Sequence, residues 1–292
     1  MKPVKRFPII PAILLFMGYT FLISCEEDIT VDLPTPEPRI VIEGYITPGS
    51  AAFIFISKST AYFAPVDSAS LVSSAVKNAL VTISDGTITD TLVAPAPDIG
   101  YLYVSPNITG EVGKTYFLTV IDQSGETATA VTTIPVPVPL DSIWFVPQEE
   151  ADTLGWIWAR LTDPAQLGNN YRWFAKRLGK DADFIAPIGS VFDDEFFNSL
   201  SFDFAYNRGN VPNSTAIDDN NEEEGLFKVG DTIVVKFASI TKESYDFWRS
   251  AETQSSSNGN PFGSPAPLKG NIEGGIGIWE GFSFTYDTTI AQ

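Results

Sequence analysis

Short strand-like segments recur along residues 39–133, and this spacing constrains the fold more than any other feature of the chain. The segments are rich in β-branched and aromatic residues, and turn signals separate them. The Asp-Gly pair at residues 85–86 and the Gln-Ser-Gly run at 123–125 each predict a β-hairpin. About seven strands in a stretch of this size predict an immunoglobulin-like β-sandwich over residues 39–134. The predicted strands are Arg39–Thr47, Ala51–Ser57, Ala79–Ser84, Thr87–Val93, Tyr101–Ser105, Thr115–Asp122 and Glu126–Thr133.

A proline-alternating segment follows the predicted sandwich. Because alternating prolines cannot pair within a central strand, residues 135–140 are expected to form a linker or an edge strand. Residues 141–292 predict a second β-rich domain with one helix near residues 242–253, capped by Thr241. The expected fold class is therefore mainly β, with an N-terminal sandwich and a second β-rich domain. The strands predicted in the second domain are Asp141–Phe145, Leu154–Leu161, Tyr171–Arg177, Leu200–Tyr206, Thr232–Ile240 and Gly281–Tyr286.

The first 24 residues have the layout of a secretory signal peptide. Three basic residues precede an apolar stretch at residues 7–23 that is too short, and too interrupted by proline, for a membrane-spanning helix. The stretch ends in Leu-Ile-Ser-Cys at residues 22–25, which resembles the lipobox of bacterial lipoproteins. In those proteins the cysteine sulfur receives a diacylglyceryl group and the chain is cut before it. We therefore expect lipidation at Cys25, followed by an acidic, proline-rich tether over residues 25–38.

Charge and residue usage exclude several functional classes. The chain has 36 acidic and 18 basic residues and a net charge of −18. Removal of the signal peptide, which carries three basic and no acidic residues, would leave −21. This charge argues against binding to nucleic acid. The chain has no histidine, and Cys25 is its only cysteine, so Ser-His and Cys-His catalysis and the usual zinc sites are excluded. No cofactor is expected.

Three local clusters have both a functional and a structural interpretation. The acidic run at residues 218–224 could bind calcium, but it lacks the EF-hand spacing and fits a solvated loop better. The Asp-Asp-Glu triplet at 193–195 could supply a glycosidase acid/base pair, although aromatic neighbours indicate a packed strand end. The glycine-rich run at 274–277 lacks the residues of a phosphate loop and indicates a tight backbone passage. We therefore predict no catalytic and no metal site, and the ligand-binding residues stay unknown.

Two further patterns concern the surface. Six tryptophans occur, of which Trp156 and Trp158 lie on the same face of one predicted strand. They could form an exposed platform for sugar stacking, although aromatic residues in a β-sandwich are more often core. Asp-Ser/Thr-apolar triplets at residues 67–69, 90–92 and 152–154 resemble the O-glycosylation acceptor pattern of some Bacteroidota.

Several short motifs occur in a defined order after the lipobox cysteine and its acidic neighbours. They are Arg39–Thr47, Gly113–Tyr116, Thr133–Pro137, Asp141–Ile143, Ser190–Asp194, Ser239–Tyr245, Asn260–Phe262 with Pro265, and Asn271–Gly277. In this order they resemble the Bacteroidota lipoproteins of the domain-of-unknown-function family 4249, over nearly the whole mature chain. The family has no established activity, so the resemblance carries over no catalytic residue.

The resemblance implies an accessory role at the outer membrane. Members of the family are typically encoded beside SusC-like TonB-dependent transporters, so we expect such a transporter, or another outer-membrane protein, as the partner. The acidic residues 26–28 resemble the surface-export signal of lipoproteins in this phylum, which predicts display on the cell exterior. The leading hypothesis is a non-enzymatic binding component of an uptake system. The alternatives are a stand-alone glycan- or peptide-binding module, which would expose aromatic residues on one face, and a carboxylate-based hydrolase.

Overall fold

The computed structural model describes residues 37–60, 68–96, 101–149, 151–210, 225–257 and 267–292. The strands of the first half are β1 Ile40–Ile46, β2 Ala51–Lys58, β3 Leu80–Ser84, β4 Thr89–Thr91, β5 Leu102–Thr109, β6 Thr115–Ile121 and β7 Thr127–Thr133. Those of the second half are β8 Ser142–Gln148, β9 Ala151–Thr162, β10 Asn170–Arg177, β11 Val191–Asp193, β12 Ser201–Tyr206, β13 Phe227–Lys228, β14 Thr232–Ile240, β15 Ile276–Gly281 and β16 Ser283–Ile290. The helices are α1 Ser68–Ser74 and α2 Lys242–Ser257.

The strands of the first half, together with β15 of the second half, form two four-stranded sheets that share one core. Sheet A has the strand order β15-β1-β2-β5, and sheet B has the order β4-β3-β6-β7. Alternate residues of each strand face inward, as in β1, where Ile40, Ile42 and Ile46 are buried. They pack in one cluster with inward residues of sheet B such as Ile83 and Leu118. This arrangement is compatible with the immunoglobulin-like sandwich expected from the sequence.

Sheet A contains a strand from the far end of the chain. β15 pairs with β1 in parallel, with Val41 opposite Ile276 and Ile46 opposite Gly281. This strand delivers Trp279 into the first core, where the side chain is fully buried. Trp279 lies opposite Gly44 in the pairing, and a Cβ at residue 44 would come within 3.0 Å of the indole. The absence of a side chain at Gly44 therefore makes room for the tryptophan.

The second half forms another pair of sheets around its own core. In sheet C, β9 pairs with β8, β12 and β13. Sheet D has the order β11-β10-β14-β16. The inward residues include Trp173 and Phe237 from sheet D and Ile157 from β9, all fully buried. Burial of large aromatic side chains dominates the packing of this core.

Helix α2 and the β15–β16 connection join the two sandwiches. A single residue, Phe282, separates β15 of sheet A from β16 of sheet D. The helix begins after Thr241, whose Oγ1 accepts a hydrogen bond from the backbone N–H of Ser244 at 3.2 Å. It packs against β10, β11 and β15, and so covers part of both sheets. Tyr245 and Trp248 lie on its packed face.

The mainly β fold class is confirmed, and both predicted hairpins form, as β3–β4 and β6–β7. The predicted helix is present and extends to Ser257. Residues 134–140 form no strand, and Val138 and Leu140 pack against the second core. The sequence did not predict the short strands β11 and β13, or β15 as a strand.

Candidate binding surfaces

The three side chains of the acidic triplet at residues 193–195 lie in different environments, with Asp193 half-buried, Asp194 buried and Glu195 exposed. The carboxylate of Asp194 is buried and accepts hydrogen bonds from the backbone N–H groups of Gly168 and Asn169, at 2.9 Å and 2.9 Å, and from the Asn169 side chain. Glu195 is exposed to solvent. Asp194 therefore fixes the loop before β10, and its oxygens are occupied by donors of the protein itself.

The glycine-rich run at residues 274–277 is a close backbone passage, as its structural interpretation predicted. Gly274 and Gly277 have φ angles of +77° and +114°. A Cβ added to Gly274 would lie 2.3 Å from the carbonyl oxygen of Thr127, and one added to Gly277 would lie 1.9 Å from the carbonyl oxygen of Ile42. These glycines allow the chain to enter sheet A beside β1.

The six tryptophans occupy three environments. Trp173 and Trp279 are fully buried in the two cores, and Trp248 lies on helix α2. Trp144, Trp156 and Trp158 lie on the outer face of sheet C. The predicted common face of Trp156 and Trp158 is therefore confirmed, and β8 adds a third tryptophan to it.

This outer surface, the tryptophan face, consists of Trp144, Val146, Trp156 and Trp158. Trp144 and Trp158 are cross-strand partners with ring centroids 6.4 Å apart and an interplanar angle of 24°. Trp156 pairs with Val146 and is 38% exposed. Trp144, Val146 and Trp158 are half-buried beside it, and a contiguous outward-facing apolar surface of this kind is typical of interaction sites.

A polar group borders the tryptophan face. Arg160, the next outward residue of β9, forms a bidentate ion pair with Asp203 of β12. Its Nε and Nη2 atoms donate to the two carboxylate oxygens at 2.6 Å and 2.8 Å. Beyond it, the hydroxyl of Thr162 donates to a carboxylate oxygen of Asp141 at 2.7 Å. The outer face of sheet C therefore combines flat aromatic surface with planar hydrogen-bonding groups.

A second surface, the aromatic corner, lies on the outer face of sheet D beside its junction with sheet A. Lys236 of β14 is at its centre, and the rings around it belong to Phe174, Phe184, Phe282, Phe284 and Tyr286. The Lys236 ammonium is 4.2 Å from the centroid of Phe174 and 5.3–5.6 Å from those of Phe184, Phe282 and Phe284. Burial, and then the charge of Arg172, lower the pKa of Lys236 to about 8.

Arg172 lies on β10, next to the aromatic corner. Its guanidinium carbon is 3.5 Å from the ring centroid of Trp248 and 4.7 Å from that of Phe174. Burial lowers the pKa of Arg172 to about 10. The Trp248 indole N–H donates to the buried carboxylate of Glu280 at 3.0 Å, and burial raises the pKa of Glu280. Helix α2 thus brings one cation, one carboxylate and a tryptophan together between the two sandwiches.

A groove of about 450 Å³ lies on the outer face of sheet A. Its walls include Phe55, Tyr101, Val41 and Val72, with Glu43 at one side. The rings of Phe55 and Tyr101 stack with centroids 5.8 Å apart. A groove of this volume is large enough for a small ligand.

The described residues contain no group of three His, Cys, Asp or Glu side chains placed to hold a metal ion. Among the helices in the described ranges, none is long and apolar enough to cross a membrane.

Several residues singled out from the sequence lie outside the described residues. They are the signal peptide at 1–24, Cys25, the acidic residues 26–28 and the tether up to residue 36, the acidic run at 218–224, the Asn260–Phe262 motif with Pro265, and the aspartate of the triplet at 67–69. In the triplet at 90–92, Asp90 is buried and its carboxylate accepts a hydrogen bond from Ser105 at 2.5 Å, whereas Thr91 is exposed.

The sequence reasoning missed the aromatic corner. The signal was present in β10, where Arg172, Phe174 and Lys176 alternate with buried residues and so share one face. The sequence could not predict that Phe184, between β10 and β11, and Phe282, between β15 and β16, lie beside Lys236 of β14.

The architecture described above is that of a mainly β protein with two sandwiches. Residues 26–287, nearly the whole chain, match the family described as "Domain of unknown function (DUF4249)", and the chain belongs to this family. No curated protein matches the chain.

Solved structures similar to this chain include those described as "Cytokine receptor complex - Crystal form 1A" and "Cytokine receptor complex - Crystal form 2". Their identities to this chain are 9% and 8%, and the TM-score is 0.26 for both. Each match covers 70% of this chain, and 85% and 92% of the respective solved chain.

Proposed function

We propose that this chain is a lipid-anchored outer-membrane lipoprotein, facing the cell exterior, that serves as a non-enzymatic binding component of a TonB-dependent uptake system. The anchor would be Cys25, at the end of a signal peptide with a lipobox. Under this proposal the partner is the transporter or another protein of the same membrane.

The tryptophan face is the observation that carries the binding role. Three large aromatic side chains and a valine cover adjacent outward positions of β8 and β9. No described helix packs over them, since α2 contacts β10, β11 and β15 and α1 contacts β2. Tryptophan is enriched at the centres of protein interfaces, where one ring buries much apolar area.

The proposed lipid anchor favours a membrane protein as the partner that binds the tryptophan face. The proposed anchor, Cys25, precedes β1 by a short stretch of chain. A lipid attached there would confine the folded body to the membrane surface. Such confinement raises the effective concentration of the face toward membrane partners.

The partner can be tested with matched surface variants of the full chain. Trp156→Arg places a charge on the tryptophan face, and Phe196→Arg makes the same kind of change at a side chain that is 88% exposed elsewhere. We expect wild type and the Phe196 variant to co-purify a TonB-dependent transporter from solubilised outer membranes. The amount of transporter that co-purifies with the Trp156 variant should be at least about tenfold lower. Recovery of the wild-type protein without any transporter would contradict the proposed partner.

The anchor requires a separate experiment. Intact mass should show a diacylglyceryl-modified Cys25 at the mature N-terminus, and Cys25→Ser should release the protein from the membrane fraction. Protease added to intact cells should degrade the wild-type protein if it faces the exterior. Protection from the protease would place it on the periplasmic side.

A stand-alone glycan-binding module is the second candidate. The observation in its favour is the pairing of parallel rings at Trp144 and Trp158 with the Arg160–Asp203 group on the same face. Sugar rings stack on flat aromatic surfaces, and planar polar side chains can hydrogen-bond their hydroxyl groups. This candidate predicts that purified protein binds a soluble oligosaccharide without any partner, and that Trp156→Arg removes the binding.

A further inference from the structure

We propose that the aromatic corner is a binding site for a carboxylate carried on an aromatic or aliphatic body, and that Lys236 and Arg172 hold the carboxylate. The proposal deepens the binding role, because it names the class of small ligand that such a component would take. It rests on the aromatic corner, whereas the proposed partner binds at the tryptophan face.

Arg172 and Lys236 are neighbouring cations without a carboxylate partner among the described residues. Acidic residues outnumber basic residues two to one, and several of the cations form ion pairs, such as Arg160 with Asp203 and Lys180 with Asp231. In the part of the chain that the structure describes, neither Arg172 nor Lys236 makes an ion pair or a side-chain hydrogen bond. The Nε atom of Arg172 is buried without any hydrogen-bond partner there. Buried donors of this kind normally have an acceptor.

The pairing of β10 with β14 brings the two cations together. Phe174 lies opposite Lys236, and Arg172 lies opposite Ala238, so Arg172 and Lys236 are diagonal neighbours on one face of the sheet. The Arg172 guanidinium and the Lys236 ammonium both lie against the ring of Phe174, at 4.7 Å and 4.2 Å from its centroid. The two cationic groups are therefore no more than about 9 Å apart, and one carboxylate bridges two donor nitrogens that are separated by about 8 Å or less.

The local charge fits a monoanion. Glu280 is the carboxylate with the largest electrostatic effect on Arg172, and it also acts on Lys236. It already accepts a hydrogen bond from Trp248. Glu252 and Glu43 also act on Arg172, though less strongly than Glu280, so a ligand should bring no more than one negative charge beside them. A phosphate dianion would bring two, and stripping its hydration among aromatic rings is unfavourable.

The surroundings of Lys236 define the rest of the ligand. Rings from β10, β16, the connection before β11 and the residue between β15 and β16 surround the ammonium, and none of them offers it a hydrogen-bond acceptor. The ammonium nevertheless has three N–H donors. At the outer side Tyr286 is 55% exposed, and its ring is 5.1 Å from that of Phe284. An apolar body would lie against these rings while its carboxylate reaches the cations.

The test uses 3-phenylpropionate as the probe and its uncharged analogue 3-phenylpropionamide as the control ligand. Binding to the purified full-length protein is followed by calorimetry and by quenching of tryptophan fluorescence, since Trp248 stacks on Arg172. We expect the acid to bind at least tenfold more tightly than the amide. Inorganic phosphate is expected to compete weakly.

Lys236→Met removes the ammonium and keeps an unbranched side chain, and Lys228→Met removes the same charge from an exposed position on β13. We expect the Lys236 variant to lose at least tenfold in affinity for the acid and the Lys228 variant to match wild type. Arg172→Met supplies a second variant with the same expected loss.

Three results would overturn the site: equal affinities for acid and amide, equal affinities of the two lysine variants, or no binding of the acid at millimolar concentration. None of them would affect capture of a transporter through Trp156, so failure of the site and failure of the proposed function are distinguishable. Tighter binding of phosphate than of the acid would also contradict the carboxylate assignment.

Discussion

A Cβ atom on Gly277 would lie 1.9 Å from the carbonyl oxygen of Ile42, so only glycine allows β15 to pair with β1 at this register. The φ angle of Gly277, +114°, is one that other residues rarely adopt. The same pairing brings Trp279 into the first core and Glu280 under helix α2. The position of one glycine is therefore coupled to both the packing of the first sandwich and the aromatic corner.

Gly277→Ala should destabilise the protein severely. The variant would have both a strained backbone and a clash with Ile42 O that the sheet cannot relieve without separating its strands, and we expect a loss of about 4 kcal/mol or more. Gly168→Ala is the matched control, because its φ is +106° and an added Cβ would meet nothing within 4 Å. It should cost only about 1–2 kcal/mol. Urea unfolding measures both, and equal losses would contradict the role assigned to the clash.

The parallel pairing of β1 with β15 could not be predicted from the sequence. Alternating burial and turn residues identify local antiparallel hairpins, such as the one at Asp85, because the two strands are adjacent in the chain. A parallel strand from more than two hundred residues away leaves no such local pattern. The run at 274–277 indicated a close passage of the backbone, but not the strand it passes.

Asp194→Asn should destabilise the loop before β10. The carboxylate is 2% exposed and accepts two backbone N–H groups and one side-chain amide. Asparagine would turn an NH₂ group toward some of these donors, and we expect a loss of about 1–3 kcal/mol in the free energy of unfolding. Thermal or urea unfolding measures the loss.

Glu195→Gln is the control for this prediction, because Glu195 is exposed and its substitution should change stability by less than about 0.5 kcal/mol. If Asp194→Asn left stability unchanged, Asp194 would not be the loop anchor that its contacts indicate.

The candidate surfaces could be predicted only in part. Trp156 and Trp158 alternate within one strand, so their common face follows from the period of a strand. Whether that face is inward or outward depends on which sheet covers the other side, and Ile157 and Ala159 proved to be the core residues. The partners of Lys236 come from separate strands and connections, so no single window of sequence contains the aromatic corner.

The stability contributed by Lys236 should increase with pH above about 8. Burial among aromatic rings, and then the charge of Arg172, lower its pKa to about 8, against 10.5 for a lysine in the unfolded chain. Below pH 8 the ammonium is charged in both states, so the folded state bears the full penalty of burying it. Between the two pKa values the folded state loses the proton and the unfolded state keeps it, so the unfolded state binds more protons and stability rises with pH.

Lys236→Met isolates this effect, because the other titratable groups of the aromatic corner, among them Arg172, Glu280, Lys176 and Tyr286, are present in both proteins. Near pH 7 the variant should be more stable than wild type by up to about 2–3 kcal/mol, and the difference should shrink toward pH 10. Urea unfolding of both proteins across this range, with Lys228→Met expected to follow wild type, measures the difference. A difference that stays constant with pH would mean that Lys236 keeps its proton in the folded state, and that the surrounding rings and Glu280 compensate its charge without any ligand.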